Sequence, residues 1–513
     1  MSGHLFYHQL NVPRTVFEQN VKKMASTLLS LGIGEDSCIA ILMRNDPHYF
    51  EIIEACRYVG AYYVPLNWHG TGKELEHIVI DAKAELLLAH SDLLANFLAS
   101  GRLDIPHFYL PTPQAVQDAY QIDAALRAEC LANSDWVQNF EELYQKSLPI
   151  SSAPLRFRGM QAYTSGSTGR PKGIKRVQDK QKPDTYLVYK SLANSLMQLV
   201  EHDRFYVCAP VYHSAPNALT LCAIAAETID VYISAKFEAE RFLADIQNNA
   251  ITHIYIVPTM MVRLLKLPLP VRQQYDVSSL KFAISTGSQC PPQVKKAMID
   301  WFGPIFYESY GASEIGFMTL ISSDEALIKP GSVGKVLPGG SIKILGQHGK
   351  VLNTNESGLI YINLPQFGEF SYTNAEGDCN ETHIDGYTTV GDIGYLDEDD
   401  YLFINDRQKD MVISGGANVF PAEIEAQLIE MPSIVDCAVF GAPDPEFGET
   451  LVLAAVCKKP GELTLEQVHK FLTGKLAKFK FPQKLELHTQ LPREDSGKIF
   501  KQRLKKTYQN NSQ

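Results

Sequence analysis

The sequence predicts an α/β protein: a large N-terminal domain of two packed α/β subdomains plus a small β-rich unit, followed by a small α+β C-terminal domain. Helical and strand-like patterns alternate over roughly residues 35–320, a stretch too long for one simple sheet. From residue 331 onward, short strand-like runs with glycine and acidic turns predict the β-rich unit. A charged segment then leads into a separate alternation, so we expect domains at residues 1–405 and 406–513.

Hydrophobic periodicity assigns the elements of the first α/β region. Apolar residues at helical spacing stop at Gly32, and unbroken apolar runs such as Cys38–Met43 indicate buried strands. Residues 112–150 lack a clear period and are expected to form a variable connection with one helix. We predict helices at 16–31, 46–58 and 77–82, and strands at 38–43, 61–65 and 84–89.

The alternation continues in the second α/β region and in the two smaller units. The polar tail Gln509–Gln513 is expected to be disordered. Predicted helices lie at 184–200, 217–227, 239–248 and 292–302, and predicted strands at 204–209, 230–233, 254–257 and 281–285. Strands of the β-rich unit are expected at 341–345, 358–362, 391–396 and 401–404. The C-terminal strand–helix alternation occupies 422–430, 434–440, 450–458, 464–472 and 484–487.

The composition excludes several classes of protein. Of 513 residues, 45% are apolar and 20% charged, and no apolar run approaches the length of a membrane span. The N-terminal 30 residues lack a signal-peptide pattern, so we expect a cytoplasmic protein without a transmembrane segment. Nine cysteines are scattered without C-x-x-C spacing, which favours reduced thiols over a disulfide or zinc framework. A net charge of −11 argues against a general nucleic-acid-binding protein.

The stretch Tyr163–Gly173 has the composition of a polyphosphate-binding loop. It contains three glycines, four aliphatic hydroxyls and two cations, Arg170 and Lys172. Glycines let backbone N–H groups converge on one point, while hydroxyls and cations add donors and positive charge. It is not a Walker A loop, because Pro171 stands where the second glycine of that pattern belongs. A flexible surface turn is the alternative interpretation.

Two further segments place single acidic residues beside glycines and aromatic rings. In Tyr307–Glu314, a tyrosine and a glycine could form an adenine slot, and Glu314 could hold a magnesium ion among phosphate oxygens. The alternative is a turn with a solvated glutamate. In Tyr387–Tyr395, Asp392 lies at a predicted strand end, where a carboxylate can accept two hydrogen bonds from a ribose diol. The alternative there is a plain β-turn aspartate.

Three more segments carry candidate residues with equally plain alternatives. Residues 405–418 combine a charged cluster, an apolar triplet and Ser-Gly-Gly, which describes either a joint or an ordinary interdomain linker. Lys498 follows a Ser-Gly turn in Leu491–Ile499, although lysines near a terminus are most often only solvated. His213 lies between an aromatic and a small residue in Pro210–Pro216, where a packed loop histidine is the commoner outcome.

Taken together, these segments resemble the adenylate-forming superfamily, which includes acyl-CoA synthetases, firefly luciferase and the adenylation domains of peptide synthetases. The resemblance runs from about Val16 to Phe500, with the motifs in the family's order. In the closing motif, L-P-R-x-x-x-G-K, all five fixed positions match between 491 and 498. Two departures occur: Val390 precedes Gly391 in the ribose motif, and Asp406 stands where glycine is usual before the arginine.

The resemblance implies a role for each motif. Tyr310 would pack on adenine, Asp392 would bind both ribose hydroxyls, and Arg407 would contact ribose and phosphate. Torsions of Lys409 would swing a mobile C-terminal domain, and Lys498 would bridge the carboxylate and the phosphate. The implied catalytic residues are Lys498, Thr164, Lys172 and His213, and the implied metal-binding residues are Thr164 and Glu314. The implied cofactor-binding residues are Thr164, Ser165, Gly166, Ser167, Thr168, Gly169, Gly287, Ser309, Tyr310, Gly311, Asp392, Arg407, Lys409, Ser414, Gly415, Gly416 and Lys498.

The implied activity is that of an ATP-dependent carboxylic acid–CoA ligase that works through an acyl-adenylate, with ATP, Mg²⁺ and CoA. His213 would close the acyl pocket, and Phe282–Ser288 would form its strand and turn, although Thr286-Gly-Ser departs from the commoner Gly-Gly-Ala and leaves pocket depth open. No acidic residue lies between Asp203 and Glu227, which favours a fatty or other apolar acid without an α-amine.

Several points stay open in the sequence. The first alternative activity is an adenylation enzyme that loads an acyl-carrier protein, and the second is a non-catalytic homologue. A homodimer is also left open. The basic run from Lys470 to Lys484 is interpreted as a solvated helix face, with contact to CoA phosphates as the alternative.

Overall fold

A computed structural model of the chain shows two parallel sheets with flanking helices, then a β-rich unit, then a small mixed unit. The fold class, a large N-terminal α/β domain followed by a small C-terminal domain, is confirmed. The structure describes residues 3–99, 103–123, 137–165, 171–177, 183–346, 349–365, 370–373, 383–414, 417–445, 448–459, 463–493 and 499–511.

A five-stranded parallel sheet, counted over the described residues, forms one layer of the N-terminal domain. Its strand Cys38–Leu42 is buried at every position. Ile39 and Ile41 pack into one core and Ala40 into another, so both faces of the sheet are covered, as parallel sheets require. In sheet order the strands are Tyr62–Pro65, Cys38–Leu42, Leu86–His90, His107–Leu110 and Val137–Asn139. The helices of this region are Arg14–Ser30, Pro47–Val59, Gly72–Asp81, Ser91–Leu98, Gln114–Tyr120 and Phe140–Lys146.

A seven-stranded sheet, again counted over the described residues, forms the second α/β subdomain. The segment His4–Pro13, for which the sequence predicted no element, supplies two of its strands. Leu10–Pro13 is antiparallel at the edge, and the other strands run parallel. In sheet order the strands are Phe306–Glu308, Phe282–Ser285, His253–Tyr255, Arg204–Val207, Asp230–Ile233, His4–Tyr7 and Leu10–Pro13. The helices are Thr185–Ser195, Ser214–Ala225, Ala239–Asn249, Pro258–Leu265, Leu269–Arg272 and Pro292–Phe302.

Antiparallel strands form the β-rich unit and two small sheets beside it. One small sheet pairs Ala162–Ser165 with Pro171–Arg176 and then with Phe370–Tyr372. The other pairs Gly311–Ala312 with Gly316–Phe317. The main strands of the unit are Thr319–Leu320, Ser332–Val336, Ser341–Leu345, Gly358–Asn363, His383–Ile384, Tyr387–Thr388, Asp392–Leu396 and Leu402–Arg407, with the short helix Ser323–Ile328.

The C-terminal unit has its own sheet and its own core. Strands Ile434–Asp444 and Gly448–Cys457 form a long antiparallel pair, and Lys484–His488 lies parallel to the second of them. Val439 and Leu453 are buried in a core that contains no residue before Val412. The remaining elements are the strands Val412–Ser414 and Ala417–Val419, the 3₁₀ turn Lys478–Lys480 and the helices Pro421–Leu428, Leu465–Leu472 and Lys501–Asn511.

The predicted junction between the two domains falls within a strand whose pairing register shifts at Asn405. Leu402–Arg407 pairs with Asp392–Leu396 in the β-rich unit, and it crosses the predicted boundary between residues 405 and 406. We keep that boundary as a proposal. The core of the C-terminal unit begins a few residues later, at Val412.

Several predicted elements differ from the structure. The connection 112–150 holds two helices within the described residues rather than one. The predicted helix 184–200 ends at Ser195, because the chain turns at Gln198, which has a left-handed φ of 56°. Residues Gln509–Asn511 are helical, since Leu504 and Tyr508 anchor the last helix on the C-terminal sheet.

The basic run from Lys470 to Lys484 is not one helix face. Lys470 lies on a helix, Lys478 and Lys480 on a 3₁₀ turn, and Lys484 on a strand. Lys480 is paired with Glu423. Among the described residues, no helix has the length and apolar character needed to cross a bilayer.

Candidate active site

Two neighbouring strands of the seven-stranded sheet end side by side at the candidate site. One strand ends at Ser285 and the other at Glu308, and the Ser309 N–H donates to the Ser285 carbonyl at 2.9 Å. Gly287 has a φ of +93°, a left-handed conformation that favours glycine and lets the chain turn sharply. Ligands of parallel α/β sheets bind outside the carboxyl ends of the strands. Gly287, Ser309 and the following Tyr310 are thus at the edge where a ligand is expected.

Tyr310, Asp392 and Arg407 form one hydrogen-bonded group. The Tyr310 hydroxyl donates to Asp392 Oδ2 at 2.5 Å, and Arg407 Nε lies 3.3 Å from Asp392 Oδ1. Asp392 and Arg407 face each other in antiparallel register. Burial raises the pKa of Tyr310 well above its ordinary value and the Asp392 carboxylate raises it further, so the hydroxyl remains a donor. Three residues predicted from separate motifs are therefore in direct contact.

Glu314 lies in a tight turn that the nucleotide-loop sheet holds in place. The turn joins the strands Gly311–Ala312 and Gly316–Phe317. A Cβ at Gly311 would lie 2.7 Å from the Gly316 carbonyl oxygen, so only glycine fits there. The Arg176 guanidinium donates to the carbonyl oxygens of Glu314 at 2.6 Å and Ser313 at 3.1 Å. The strand that follows the predicted nucleotide loop therefore abuts the predicted metal ligand.

The surroundings of Glu314 suit a magnesium ion shared with phosphates. Burial raises the pKa of the Glu314 carboxyl, while the Arg407 and Arg176 guanidiniums oppose that rise. The described residues contain no cluster of three or more His, Cys, Asp and Glu side chains that could hold a metal by themselves. Mg²⁺ usually takes one or two carboxylates plus substrate phosphates and water, so a single carboxylate among cations that attract phosphate fits its chemistry.

The ends of the predicted nucleotide loop are fixed by an antiparallel pair. Thr164 lies opposite Lys172 in the register of the two strands. The Tyr163 hydroxyl donates to Asp81 Oδ2 at 2.7 Å, and the Thr373 hydroxyl donates to the same oxygen at 2.6 Å. Asp81 ends the helix Gly72–Asp81, which lies in the subdomain of the five-stranded sheet. Through Tyr163 and Thr373 it therefore holds the strands at the ends of the loop.

His213 lies in a segment that contacts the Glu314 turn. It immediately precedes the helix Ser214–Ala225, and its ring lies 4.2 Å from that of Tyr212, centroid to centroid. The Ser214 and Ser313 hydroxyls are 2.7 Å apart, which places this segment beside the Glu314 turn. The predicted acyl-pocket residue and the predicted metal ligand are consequently neighbours.

The predicted hinge lies beside the same cluster. Burial and the Arg407 guanidinium lower the pKa of Lys409, while the Asp392 and Glu314 carboxylates oppose that shift. The Asp406 carboxylate accepts from the Arg407 and Ala422 N–H groups at 2.8 and 2.9 Å. Asp406, which replaces the usual glycine, thus contacts the first helix of the C-terminal unit.

Part of the predicted site falls outside the residues that the structure describes. Ser414, which is described, ends a strand of the C-terminal sheet. Arg493, the third residue of the closing lysine motif, forms an antiparallel bridge with Ile499, which follows Lys498 in the sequence. The predicted residues outside the description are Gly166, Ser167, Thr168, Gly169, Gly415, Gly416 and Lys498.

Comparison with known families decides the assignment. The profile of the AMP-binding enzyme family matches residues 15–369, and that of the AMP-binding enzyme C-terminal domain matches residues 423–498. The chain belongs to the AMP-binding enzyme family. The predictions of an adenylate-forming family and of an enzyme of the acid–CoA ligase class are confirmed.

Curated relatives of this AMP-binding enzyme are CoA ligases and synthetases. An indoleacetate–CoA ligase from Aromatoleum aromaticum is 29% identical over 492 residues, covering 94% of this chain and 90% of the relative. A feruloyl-CoA synthase from an Amycolatopsis species is 29% identical over 501 residues, covering 96% and 92%. The solved o-succinylbenzoate CoA synthetase of Bacillus subtilis has the same fold, with a TM-score of 0.80, 24% identity and coverage of 98% and 94%.

Two residues that support the site of this AMP-binding enzyme were not predicted from the sequence. Asp81 and Arg176 hold the nucleotide-loop sheet and the Glu314 turn. A signal for Arg176 was present, because alternation along a strand places it on the same face as Lys172. No sequence signal pointed to Asp81, since its contact with Tyr163 depends on how a distant helix packs.

Proposed function

We propose that the chain is an AMP-forming acid–CoA ligase that activates an apolar carboxylic acid as its acyl-adenylate. The observation that carries the proposal is the contact of Tyr310 and Arg407 with Asp392 at the carboxyl edge of a parallel sheet. An aromatic ring, an anchored carboxylate and a guanidinium at one point suit the adenine, ribose and phosphate of one nucleotide. The family membership and the CoA ligases among the relatives support the same activity.

Each site residue takes one part of ATP in this proposal. Tyr310 packs against adenine with Gly287, Ser309 and Gly311 shaping the slot, and Asp392 accepts from the ribose hydroxyls. Arg407 contacts ribose and the α-phosphate. The loop residues Thr164, Ser165, Gly166, Ser167, Thr168, Gly169 and Lys172 receive the phosphates.

The first half-reaction joins the acid to AMP. A carboxylate oxygen attacks the α-phosphorus, the bond to the β-phosphate oxygen breaks, and pyrophosphate leaves with that electron pair. Lys172 and Lys498 supply positive charge where negative charge builds up on the phosphates. When bound, Mg²⁺ would be held by Glu314, with Thr164, and would add charge compensation on phosphate oxygens.

The second half-reaction transfers the acyl group to CoA. The CoA thiol gives up its proton to solvent, the thiolate attacks the acyl carbon, the bond from that carbon to the phosphate oxygen breaks, and AMP leaves with the electron pair. A rotation at Lys409 withdraws Lys498 and brings Ser414, Gly415 and Gly416 to the pantetheine channel, which is a hinge motion between two domains.

The acid we propose is apolar, with aromatic acids as the first candidates. Trp68 and Tyr212 lie edge to face at 6.1 Å, and Tyr212 adjoins His213, so aromatic rings line the wall that the acid would meet. Indoleacetate and ferulate, the acids named for two relatives, are aromatic, whereas none of these relatives supports the fatty acid expected from the sequence. We place the enzyme in the cytoplasm, in keeping with six buried free thiols in the described part of the chain: Cys38, Cys56, Cys208, Cys222, Cys290 and Cys437.

Carboxylate-dependent exchange between pyrophosphate and ATP tests the proposal. Indoleacetate, ferulate, benzoate and octanoate are assayed with the full chain, ATP and Mg²⁺, and thioester formation is then measured on addition of CoA. We expect exchange with at least one aromatic acid and a thioester with CoA. Exchange without any thioester on CoA would instead favour a carrier-protein acceptor, and no exchange with any acid would contradict adenylate formation.

A further inference from the structure

The segment Cys208–His213, which leads to the proposed acid wall, belongs to no helix or strand. Its position therefore cannot come from the hydrogen-bond ladder of a sheet, and other groups must satisfy its buried backbone atoms. Ala209 and Val211 are 3% and 1% exposed, so they are shielded from bulk solvent. Side chains bind them, and apart from Asn217 these side chains come from distant parts of the chain.

Asn45 provides the first set of bonds. It follows the strand Cys38–Leu42 of the five-stranded sheet and is 2% exposed. Its amide nitrogen donates to the carbonyl oxygens of Ala209 at 2.9 Å and Ser234 at 3.0 Å. Its amide oxygen accepts from the Val211 N–H at 3.0 Å. The Asn45 side chain thus connects the carboxyl end of the five-stranded sheet to Ala209 and Ser234, which follow two strands of the seven-stranded sheet.

A second set of bonds converges on the Val211 carbonyl oxygen. The Tyr49 hydroxyl and the Asn217 amide both donate to it, each at 3.0 Å. The Asn217 amide also donates to the Tyr49 hydroxyl at 3.0 Å, and the Tyr63 hydroxyl donates to the Asn217 oxygen at 2.8 Å. These tyrosines are fully buried. We call Asn45, Tyr49, Tyr63 and Asn217 the Asn45 network.

A third contact reaches the wall through its side chains. Trp68 meets Tyr212 edge to face, and the Arg44 guanidinium lies 5.0 Å from the centre of the Trp68 ring. Arg44 is itself fixed by a 2.7 Å ion pair with the buried Asp92. Backbone and side chain of the Tyr212 segment are therefore both held from the five-stranded sheet.

We propose that the Asn45 network is a positioning device for the acid pocket: it sets where Tyr212 and His213 lie, and through them which carboxylic acid the enzyme accepts. The inference rests on the proposed function, in which these two residues form the acid wall. A buried polar network with its hydrogen bonds satisfied favours one arrangement over its alternatives, so removing a member loosens the segment it holds. The nucleotide contacts lie on other strand ends and depend on other bonds, so ATP binding should not follow the change.

Tyr49→Phe is the main test, because it keeps the buried ring and removes only the hydroxyl. The variant loses the bond from Asn217 and the one bond that Tyr49 makes to the segment Cys208–His213. We expect the KM for the acid to rise about three- to tenfold, the factor that corresponds to that one neutral hydrogen bond to the segment, with the KM for ATP changed by less than about twofold. Asn45→Ala removes three bonds and should produce a larger rise. The preference between indoleacetate and octanoate should shift in both variants.

Tyr206→Phe is the matched control. Tyr206 is also buried, in a strand of the seven-stranded sheet, and its hydroxyl donates to Asp245 Oδ2 at 2.8 Å rather than to the segment Cys208–His213. A loss of thermal stability common to Tyr49→Phe and Tyr206→Phe, with acid KM and acid preference changed only in the first, supports positioning. Equal acid KM in the two variants, or a parallel rise of acid and ATP KM in Tyr49→Phe, overturns it. If the wild-type enzyme shows no pyrophosphate exchange with any acid, the proposed function is overturned as well. If the wild type exchanges normally and the variants keep its acid KM and acid preference, the positioning role alone is overturned.

Discussion

The Tyr310 hydroxyl and the Asp392 carboxylate are joined by a 2.5 Å hydrogen bond across 82 positions of the sequence. Tyr310 follows a strand of the parallel sheet, whereas Asp392 begins a strand of the β-rich unit. Arg407 approaches the other carboxylate oxygen at 3.3 Å. Tyr310 and Arg407 therefore fix the orientation of the Asp392 carboxylate, one at each oxygen. A carboxylate that binds a diol needs such a fixed orientation.

Asp392→Asn should weaken ATP binding, with little decrease in folding stability. The amide has one acceptor oxygen instead of two and leaves Arg407 without its anion, so we expect the KM for ATP to rise by about tenfold or more. Pyrophosphate exchange at varied ATP measures it. The control is Asp397→Asn, in the same unit, where the carboxylate pairs with Lys329 instead. The same ATP KM in both variants would contradict the ribose role.

Glu314→Gln should raise the requirement for Mg²⁺. Replacing the carboxylate by an amide removes the one charged protein ligand that we propose, and roughly tenfold more Mg²⁺ should be needed for half-maximal exchange. Because burial raises the pKa of Glu314, the carboxylate takes up a proton more readily and the wild-type Mg²⁺ requirement should also increase as the pH falls. Asp324→Asn, at an exposed position nearby, should leave the titration unchanged. A Glu314→Gln enzyme with the wild-type Mg²⁺ titration would exclude the metal role.

The sequence predicted the sheets well where strands are uniformly apolar. Cys38–Leu42 is buried on both faces, so its composition alone marks it as a central parallel strand. The N-terminal strand His4–Tyr7 was missed, because it joins the sheet by pairing with Asp230–Ile233, more than two hundred positions away. Local patterns carry no information on such long-range pairing.

The candidate site was predictable where motifs are short and dense. Tyr310, Asp392 and Arg407 could each be named from their own segments, but their contact depends on how the β-rich unit packs against the parallel sheet. Asn45 and Tyr49 give no signal in the sequence, since an asparagine after a strand and a tyrosine in a helix have many uses. Their positioning role is legible only in three dimensions.

Lys498→Ala should abolish pyrophosphate exchange while leaving acyl transfer from preformed adenylate to CoA largely intact. A cation placed at the developing charge contributes about 10²–10³ in rate, and it is needed only in the first half-reaction. The control is Lys506→Ala, at an exposed position of the last helix. Equal losses in the two half-reactions would contradict the role that we assign to Lys498.

His253 should make folding stability depend on pH. Burial lowers the pKa of His253 from 6.5 to about 4, and the Asp203 carboxylate opposes the shift. His253 therefore takes up a proton near pH 6.5 in the unfolded chain but only near pH 4 in the folded chain. The free energy of unfolding consequently falls as the pH decreases through this window. The loss from pH 7 to pH 5 should be about 2 kcal/mol. Denaturant unfolding of His253→Gln at several pH values should show a smaller loss of unfolding free energy between pH 7 and pH 5. His202→Gln, at an exposed position, should show the wild-type loss.

Lys409→Pro should separate the two half-reactions. Lys409 lies between the strand Leu402–Arg407 of the β-rich unit and the strand Val412–Ser414 of the C-terminal unit. Proline fixes its own φ and restricts the preceding residue, so a rotation at this position is blocked. Pyrophosphate exchange should stay within about twofold of wild type, whereas thioester formation should fall by at least about tenfold, if acyl transfer needs the second domain orientation. Lys409→Ala removes the same ammonium but leaves the backbone free, and it should form thioester at close to the wild-type rate. Normal thioester formation by the proline variant, or an equal defect in the alanine variant, would show that the domains do not turn at Lys409.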